Sequence, residues 1–573
     1  MVKEEIEELQ KMQIMTDWVQ SHGGCCSPSL EFKISKDTGS TAYAKSEIAV
    51  GGEIKSSRLL ACPISLVIDY PKAASLIWGS VEECPFAEQP EVAIRLFLCR
   101  ERILGNESVW APYINILPTS FDTPLYFTDA ELALLAGTNI YGDVDLRRAA
   151  WEEEWKNAVS FVPNSAMIPA KLYTWELYLW ACTVLSSRSF PSKLVLKTEG
   201  LSYPVLVPLV DSLNHRPLTP VYWGDLDNTF SIYAAQTIEA GHEVFNNYGP
   251  KGNEELLMGY GFCLEDNKFD VVSLKIRRTA LAPDKESLLE AMGITNDVFY
   301  LSDTEPLPEN LLNMFRVQFA NEPEIEIMRH SLYDSSRLQS TTRCDISALG
   351  RLNIAISMKI SQHKAPRRAP TTRREKSIFY YVTRQLEILR TTQRVIYETL
   401  YSLVKPADVQ VNESGELVKD IHRYMNTVGF SLASVLADAR FEPFITSIDS
   451  VFGSSDAVDL RESDAEDQIL VLFVAHLLLT TLDVSSPCSA WLTTMKSRYN
   501  IDGFDMDSDL FEDFENMREQ IIPPLAEHNA EVFAMEKWTS RVLAWAATVV
   551  DSEGVVVSVD TESTPEYWIV TTL

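Results

Sequence analysis

The chain has 573 residues, of which 46% are hydrophobic and 23% are charged. This length suggests at least two domains, and the composition excludes a disordered, collagen-like or low-complexity protein. The 50 Lys and Arg residues against 81 Asp and Glu residues give a formal net charge of −31. Such an acidic surface opposes direct binding to nucleic acid or to an anionic membrane, and it favours a basic protein partner.

The first part of the chain begins with a helical pattern and continues with short strands. Apolar residues between positions 3 and 20 fall on roughly one helical face. Between residues 31 and 68 the pattern is β-like, and it predicts strands at 41–44 and 64–68. Residues 90–198 are then predicted to be mostly helical.

Further strands follow the helical region. The compact apolar segment 203–211 predicts a buried strand, and the segments 229–234 and 243–247 predict two more. A short helix is expected to begin at Asn253, because Asn is a favourable N-cap residue and two Glu residues follow it in the first turn.

Beyond about residue 280 long helical patterns dominate, notably at 378–404 and 467–482. The run 469–482 within the second of these is the most apolar of the chain, but it is too short to span a membrane, which needs about 20 residues. The pattern as a whole predicts a β-containing first part and a separate helical second part.

Several familiar catalytic motifs are absent or incomplete. His242 and Glu243 begin like a zinc-binding helix, but Asn246 stands where the second histidine belongs. Gly259 and Gly261 lack the third glycine of a dinucleotide-binding loop, and the chain has no phosphate-binding loop and no GxSxG elbow. The nine cysteines include no CxxC pair, which favours reduced thiols in an intracellular protein.

Two polar motifs in a fixed order carry the chemical signal. The apolar segment 203–211 runs into Asp-Ser-Leu-Asn-His at 211–215, and Asn-Asn-Tyr-Gly follows about thirty residues later at 246–249. Tyr-Gly-Phe then stands at 260–262. Each motif alone is an ordinary strand end or turn, but their combination in this order is much more specific.

This combination resembles the SET-domain protein methyltransferases, in the branch that includes the plant Rubisco large-subunit lysine methyltransferase. The segments 108–118 and 187–190 are similar to signatures of the helical insertion in that branch. Within the branch, the segments 206–215 and 246–270 are most similar to the yeast ribosomal lysine methyltransferases. Those enzymes modify large-subunit ribosomal proteins.

The resemblance implies an α+β fold in two parts. A SET domain at 1–270 has a β-fold of short strands with a large helical insertion at about 70–200. An all-helical C-terminal domain at 280–573 follows, and its role in the family is substrate binding.

The resemblance also implies the reaction and the site. A methyl group passes from S-adenosylmethionine to a lysine side chain of a non-histone protein, expected to be a large-subunit ribosomal protein, and no metal is required. Tyr248 is then the catalytic tyrosine, and Asp211 and Tyr260 contact the substrate lysine. The residues implied for the donor site are Arg188, Asn214, His215, Phe262, Thr41 and Ala42.

One position departs from the family pattern. The family usually has Gly-x-Gly before its first strand, whereas this chain has Gly39-Ser40-Thr41. Thr disfavours a positive φ, so the loop is expected to follow a different path at Thr41.

Three alternatives remain open at this point. The protein substrate could be an elongation factor, or the modified residue could be a histidine, or the chain could be a binding module without activity. Val210 favours lysine, because the histidine-modifying member of the family has Trp just before its Asp-x-x-Asn-His motif. The expected compartment is the cytoplasm, with the nucleus as an additional one.

Overall fold

The computed structural model describes most of the chain. The described residues are 2–35, 38–50, 57–164, 167–278, 281–334, 338–364, 368–404, 429–463, 465–480, 487–500, 508–557 and 566–570. By their internal contacts, Met1–Val271 and Gln362–Leu386 form one unit, and Val272–Ser361 and Glu387–Leu573 form a second. The domain boundary expected at 270–280 stays a prediction, because compactness alone does not define an independently folding domain.

Short antiparallel strands form the β-structure of the first unit. A four-stranded sheet has the order β1-β4-β8-β7, and two further pairs are β2-β3 and β5-β6. All six residues of β8 are buried, as expected for a strand with a partner on each side. The strands are β1 (Cys25–Cys26), β2 (Leu30–Ser35), β3 (Gly39–Ala44), β4 (Arg58–Pro63), β5 (Phe190–Pro191), β6 (Pro204–Val205), β7 (Val221–Leu226) and β8 (Thr229–Ala234).

Helices make up most of the insertion between β4 and β7, as predicted. The first helix, at the N-terminus, also confirms the helical pattern at 3–20. The helices of this unit are α1 (Val2–Ser21), α2 (Tyr70–Trp78), α3 (Pro90–Leu104), α4 (Ala111–Ile114), α5 (Asp129–Leu132), α6 (Asn139–Ser160), α7 (Trp175–Arg188), α8 (Ser192–Val195) and α9 (Asn253–Tyr260).

Two strand predictions are wrong. Residues 64–66 of the strand predicted at 64–68 form a 3₁₀ turn, and the strand before them ends at Pro63. The predicted strand at 203–211 is reduced to β6, because Pro204 and Pro208 have no N–H for a ladder. The chain then turns at Leu209, whose φ is 71°, into a 3₁₀ turn over Val210–Ser212.

The predicted strand at 243–247 forms single bridges and no ladder. Glu243 bridges Tyr43 of β3, and Asn246 bridges His215 in parallel. The backbone N–H of Asn246 donates to the carbonyl of Asn214 at 2.8 Å, and the N–H of Arg216 donates to the carbonyl of Asn246 at 3.0 Å. These bonds place the two polar motifs of the sequence side by side.

The predicted N-cap of α9 is also wrong by one residue. Gly252 is the N-cap, and Asn253 is the first helical residue. The Asn253 side chain instead donates to the carbonyl of Leu264 and to Oδ2 of Asp270, both at 2.8 Å. Asn253 therefore fixes the loop after Tyr260 rather than the start of the helix.

The segment 362–386 belongs to the first unit through specific contacts. Nε of Arg374 donates to Oδ1 of Asp122 at 2.8 Å, and its Nη2 donates to the carbonyl of Phe121 at 3.0 Å. The hydroxyl of Tyr381 donates to Oε2 of Glu254 on α9 at 2.7 Å. These polar contacts join a distant part of the sequence to the insertion and to α9.

Helices dominate the second unit, as predicted, but two small sheets accompany them, so the prediction that the C-terminal domain is all-helical is wrong in that detail. Strands Val272–Lys275 and Val298–Leu301 form a hairpin, and Gly429–Ser431, Glu566–Val570 and Gly554–Val557 form a three-stranded sheet in that order. The helices are Pro283–Ala291, Glu309–Phe319, Glu322–Asp334, Thr342–Gln362, Leu432–Leu436, Glu442–Phe452, Ala457–Glu462, Glu466–Leu479, Pro487–Arg498, Ser508–His528 and Ser540–Glu553. The helix Arg373–Val404 belongs to the first unit up to Leu386 and to the second unit from Glu387.

Both long helices predicted for this region are present, as Arg373–Val404 and Glu466–Leu479. Among the described residues, no helix is both long and apolar enough to cross a membrane. The cysteines whose side chains are described are all free thiols.

Candidate active site

A cavity of about 260 Å³ lies in the first unit. It is lined by the end of α7 and the residues after it, by segment 246–249, and by single residues of the turn Val210–Ser212, of β7 and of α9. Four of the nine residues predicted for the site line this cavity: Arg188, Asp211, Tyr248 and Tyr260.

Arg188 and Asp211 form a buried pair at the wall of the cavity. Nη1 of Arg188 donates to Oδ2 and to the backbone carbonyl of Asp211, both at 3.3 Å. The hydroxyl of Tyr113, on α4, donates to the same Oδ2 at 2.7 Å. Burial raises the pKa of Asp211, and Arg188 and Tyr113 oppose that shift. Arg188 keeps 27% of its side chain exposed, so part of its guanidinium is open to a ligand.

Tyr248 belongs to the second polar motif, and hydrogen bonds hold both its side chain and its backbone. Its hydroxyl donates to the carbonyl of Leu213 at 2.8 Å, and its backbone N–H donates to Nδ1 of His215 at 3.0 Å. Burial raises the pKa of the phenol well above its usual value, which favours the neutral form of Tyr248. Because its proton is committed to Leu213, the lone pairs of the Tyr248 oxygen remain available to accept.

His215 is neutral and has one unsatisfied donor. Burial lowers its pKa to about 4, with a smaller contribution from the Lys251 cation. Since Nδ1 accepts from Tyr248, the ring proton is assigned to Nε2. Nε2 is buried and has no hydrogen-bond partner among the described residues. An unpaired buried donor is costly, so Nε2 is suited to an acceptor on a ligand.

Asn214 and Thr41 lie together and are not among the residues that line the cavity. Nδ2 of Asn214 donates to Oε1 of Glu243 at 2.8 Å and to Oγ1 of Thr41 at 3.3 Å. Thr41 is fully buried within β3, and the positive φ, 71°, belongs to Gly39 instead. Thr41 therefore has an extended backbone, which accepts Thr without strain, and the different path expected for the loop stays a prediction.

Ala42 and Phe262 also lie outside the cavity wall. Ala42 is buried in β3, and its carbonyl accepts from the N–H of Val244 at 2.9 Å. Phe262 packs with its ring centroid 6.3 Å from Tyr260 and 6.5 Å from His215. The donor roles predicted for both residues stay predictions.

Sequence reasoning missed several residues around the cavity. Trp223 lines it from β7 and donates from Nε1 to Oδ1 of Asn246 at 3.3 Å. Phe190 lines it from β5. Neither residue stands in either polar motif, and Tyr113 lies 98 residues from its partner Asp211 in the sequence. No local pattern could have indicated these long-range contacts.

The residues present fit S-adenosylmethionine, the methyl donor implied by the resemblance. Arg188 can pair with a carboxylate through its open N–H groups, because guanidinium binds carboxylate in a fork. His215 Nε2 can donate to an acceptor, and Oδ1 of Asp211, which is buried and unpaired among the described residues, can accept from an amine. Within the described part of the chain, no group of acidic, His and Cys side chains is arranged to hold a metal ion.

The walls of the cavity favour the neutral form of a lysine amine, which must lose its proton before it can accept a methyl group. A free lysine has a pKa of about 10.4, so it is almost entirely charged at pH 7. The rings of Tyr248, Tyr260, Trp223 and Phe190 provide an apolar surface that disfavours the charged form and contacts the aliphatic stem. The donor, when bound, supplies an electrophilic methyl group on a cationic sulfur. Holding both reactants in line can lower the barrier by several kcal/mol.

The fold and the ordered motifs define a class of enzyme: the chain belongs to the SET-domain protein-lysine methyltransferases. It is 31% identical over 475 residues to a ribosomal lysine N-methyltransferase of Schizosaccharomyces pombe, covering 78% of this chain and 82% of that one. An actin-histidine N-methyltransferase of Gallus gallus is 28% identical over 287 residues, or 48% of each chain.

A solved structure shares the fold. Rubisco LSMT bound to AdoMet superposes with a TM-score of 0.57 at 20% identity, covering 69% of this chain and 93% of that one. No protein-family model matches the chain. The predicted α+β fold class and the predicted lysine methyltransferase activity are confirmed by these relatives.

Replacing Arg188 by Ala is expected to weaken S-adenosylmethionine binding about tenfold or more. A hydrogen bond to a charged group contributes roughly 1.5–3 kcal/mol. Calorimetric titration of the donor measures the loss. Arg102→Ala is the matched control, because Arg102 stacks on Trp180 at 4.6 Å and does not line the cavity. Equal donor affinity in a folded Arg188→Ala protein would remove Arg188 from the donor site.

Replacing Thr41 by Val is expected to lower the free energy of unfolding by about 1–2 kcal/mol. Val keeps the shape of Thr but removes the Oγ1 that bonds Thr38 at 2.7 Å and Asn214 at 3.3 Å. Denaturant unfolding measures the change, and Thr41→Ser, which keeps the hydroxyl, is expected to lose less. A Val variant more stable than the Ser variant would show that the hydroxyl contributes nothing.

Proposed function

We propose that the enzyme transfers methyl groups from S-adenosylmethionine to lysine side chains of a basic, large-subunit ribosomal protein in the cytoplasm, with the nucleus as an additional compartment. The observation that carries the proposal is the 31% identity to a ribosomal lysine N-methyltransferase along 78% of this chain. Neither a metal ion nor direct contact with nucleic acid or membrane is part of the proposed reaction.

Charge supports a basic substrate. The formal net charge of −31 creates a field that attracts cationic proteins at a distance and raises their association rate. Ribosomal proteins are basic because they bind RNA, so an acidic enzyme and such a substrate are complementary. An elongation factor is the alternative substrate of the same reaction.

Histidine methylation is a second candidate, because one relative is an actin-histidine N-methyltransferase. That relative matches 48% of this chain, whereas the ribosomal lysine methyltransferase matches 78%. Val210, which stands before the Asp-x-x-Asn-His motif and is fully buried, favours lysine. Lysine is therefore the proposed acceptor.

A panel of substrates tests the proposal. The protein is incubated with methyl-labelled donor and, separately, with ribosomal subunits, extracted ribosomal proteins, an elongation factor and actin. Label in one large-subunit ribosomal protein, located on lysine by mass spectrometry, is the expected result. Label in the elongation factor would select the alternative substrate, and label on a histidine of actin would overturn lysine as the acceptor.

Salt is expected to weaken catalysis on the protein substrate. The screening length falls from about 10 Å at 0.1 M ionic strength to about 3 Å at 1 M, so long-range attraction is lost. We expect kcat/KM on the basic protein to fall at least tenfold between 0.05 and 0.5 M salt, while donor affinity stays within about twofold. A kcat/KM that does not depend on salt would show that the acidic surface does not steer the substrate.

A further inference from the structure

Three aromatic rings form a continuous stack that ends at the cavity. The ring centroids of His215 and Tyr248 are 4.8 Å apart at an interplanar angle of 16°. Those of Tyr248 and Tyr260 are 5.2 Å apart at 27°. Tyr248 and Tyr260 both line the cavity, so the position of one ring sets the space available beside the other.

A lysine of this chain contacts Tyr260, the ring at one end of the stack. Nζ of Lys251 lies over the Tyr260 ring, 5.6 Å from its centroid. Only 20% of the Lys251 side chain is exposed, so water competes weakly for the ammonium.

Lys251 is held in place from several directions. Its carbonyl accepts from Nδ2 of Asn267 at 2.8 Å, and its N–H donates to the carbonyl of Gly249 at 3.0 Å. Its ammonium also pairs with Glu255 on α9. Burial lowers the pKa of Lys251, but Glu255 and Tyr260 together raise it by more, so the side chain remains a cation.

We propose that Lys251 is a positioning residue for methyl transfer: its ammonium fixes the ring of Tyr260 and, through the stack, the ring of Tyr248. Without this ammonium, Tyr260 can rotate about its side-chain bonds, and the part of the cavity that receives the substrate amine widens. A small displacement of reacting groups is enough to reduce the rate strongly. The proposal depends on the methyltransferase activity of the family and on no particular protein substrate.

Two substitutions separate the ring contact from the ion pair. Lys251→Met keeps the length of the side chain but removes the cation, whereas Lys251→Arg keeps a cation that also stacks on aromatic rings. Glu255→Gln removes the partner of the ammonium but leaves the ammonium itself. Glu255 is 57% exposed, and an exposed ion pair contributes little to stability.

The first readout is steady-state kinetics on whichever protein substrate the wild type accepts. Lys251→Met is expected to lower kcat about tenfold, with donor affinity and melting temperature unchanged. Lys251→Arg is expected to retain at least about half of kcat, because it restores the cation over the ring. Glu255→Gln is expected to lower kcat by less than about threefold.

The second readout needs no protein substrate. The amide of Tyr248 donates to His215, so its hydrogen exchange reports how firmly the stack is held. Exchange at this amide is expected to be faster in Lys251→Met than in the wild type and unchanged in Lys251→Arg.

A wild-type kcat in Lys251→Met would overturn the proposal, as would an equal loss in Lys251→Arg or unchanged exchange at Tyr248. If no ribosomal protein is methylated, the exchange result still tests the proposal, since that measurement needs no protein substrate.

Discussion

Replacing Tyr248 by Phe is expected to reduce kcat by on the order of 10²-fold while leaving donor affinity within about twofold. The substitution removes one oxygen and keeps the ring between His215 and Tyr260. That hydroxyl donates its proton to the Leu213 carbonyl, and Tyr248 lines the cavity in which the reacting groups are expected to meet. Removing one preorganised polar group that acts at the transition state typically lowers kcat by about 10²–10³-fold.

Stability should change little in this variant. The lost bond to the Leu213 carbonyl contributes about 1 kcal/mol, which unfolding in denaturant can resolve. Tyr141→Phe is the matched control, because Tyr141 is 49% exposed on α6 and does not line the cavity. A Tyr248→Phe enzyme with wild-type kcat would mean that Tyr260 is the tyrosine that acts on the methyl group.

Replacing Asp211 by Ala is expected to destabilise the first unit by about 3 kcal/mol or more. The change removes the acceptor of Arg188 and of Tyr113, and Tyr113 is itself only 1% exposed. Breaking a buried pair leaves an uncompensated charge, which costs about 3–5 kcal/mol. The midpoint of denaturant unfolding, followed by a probe in the first unit, measures the loss.

The partners of Asp211 allow a sharper control. Asp211→Asn keeps an oxygen that accepts from Tyr113, so it is expected to lose less stability than Asp211→Ala. The double variant Asp211→Ala with Arg188→Ala leaves no cation unpaired. Its loss of stability is therefore expected to be smaller than the sum of the two single losses. Additive losses would show that Arg188 and Asp211 do not stabilise each other.

The residues that could be predicted from the sequence are those in or close to the two polar motifs. The family resemblance assigned Asp211, Tyr248 and Tyr260 to one site, and all three line the cavity. Arg188 closes α7, where a cation is favoured by the helix dipole.

The rest depends on contacts between distant parts of the chain. The strand expected at 203–211 is an exception with a local cause. Pro204 and Pro208 have no N–H for a ladder, and the apolar pattern alone does not take this into account. Asn253 has the right residue type for an N-cap, but its side chain instead donates a hydrogen bond to Asp270, seventeen residues later. Thr41 disfavours a positive φ, and the backbone has its positive φ two residues earlier, at Gly39.

The identity of the methylated residue tests the central claim most directly. Wild-type enzyme and Tyr248→Phe are incubated in parallel with methyl-labelled S-adenosylmethionine and extracted ribosomal proteins, and the product is hydrolysed to amino acids and resolved. We predict labelled methyllysine from the wild type and at most about one hundredth of that rate from Tyr248→Phe. Labelled methylhistidine, or equal label from both enzymes, would contradict the assignment of this cavity as a lysine methyltransferase site.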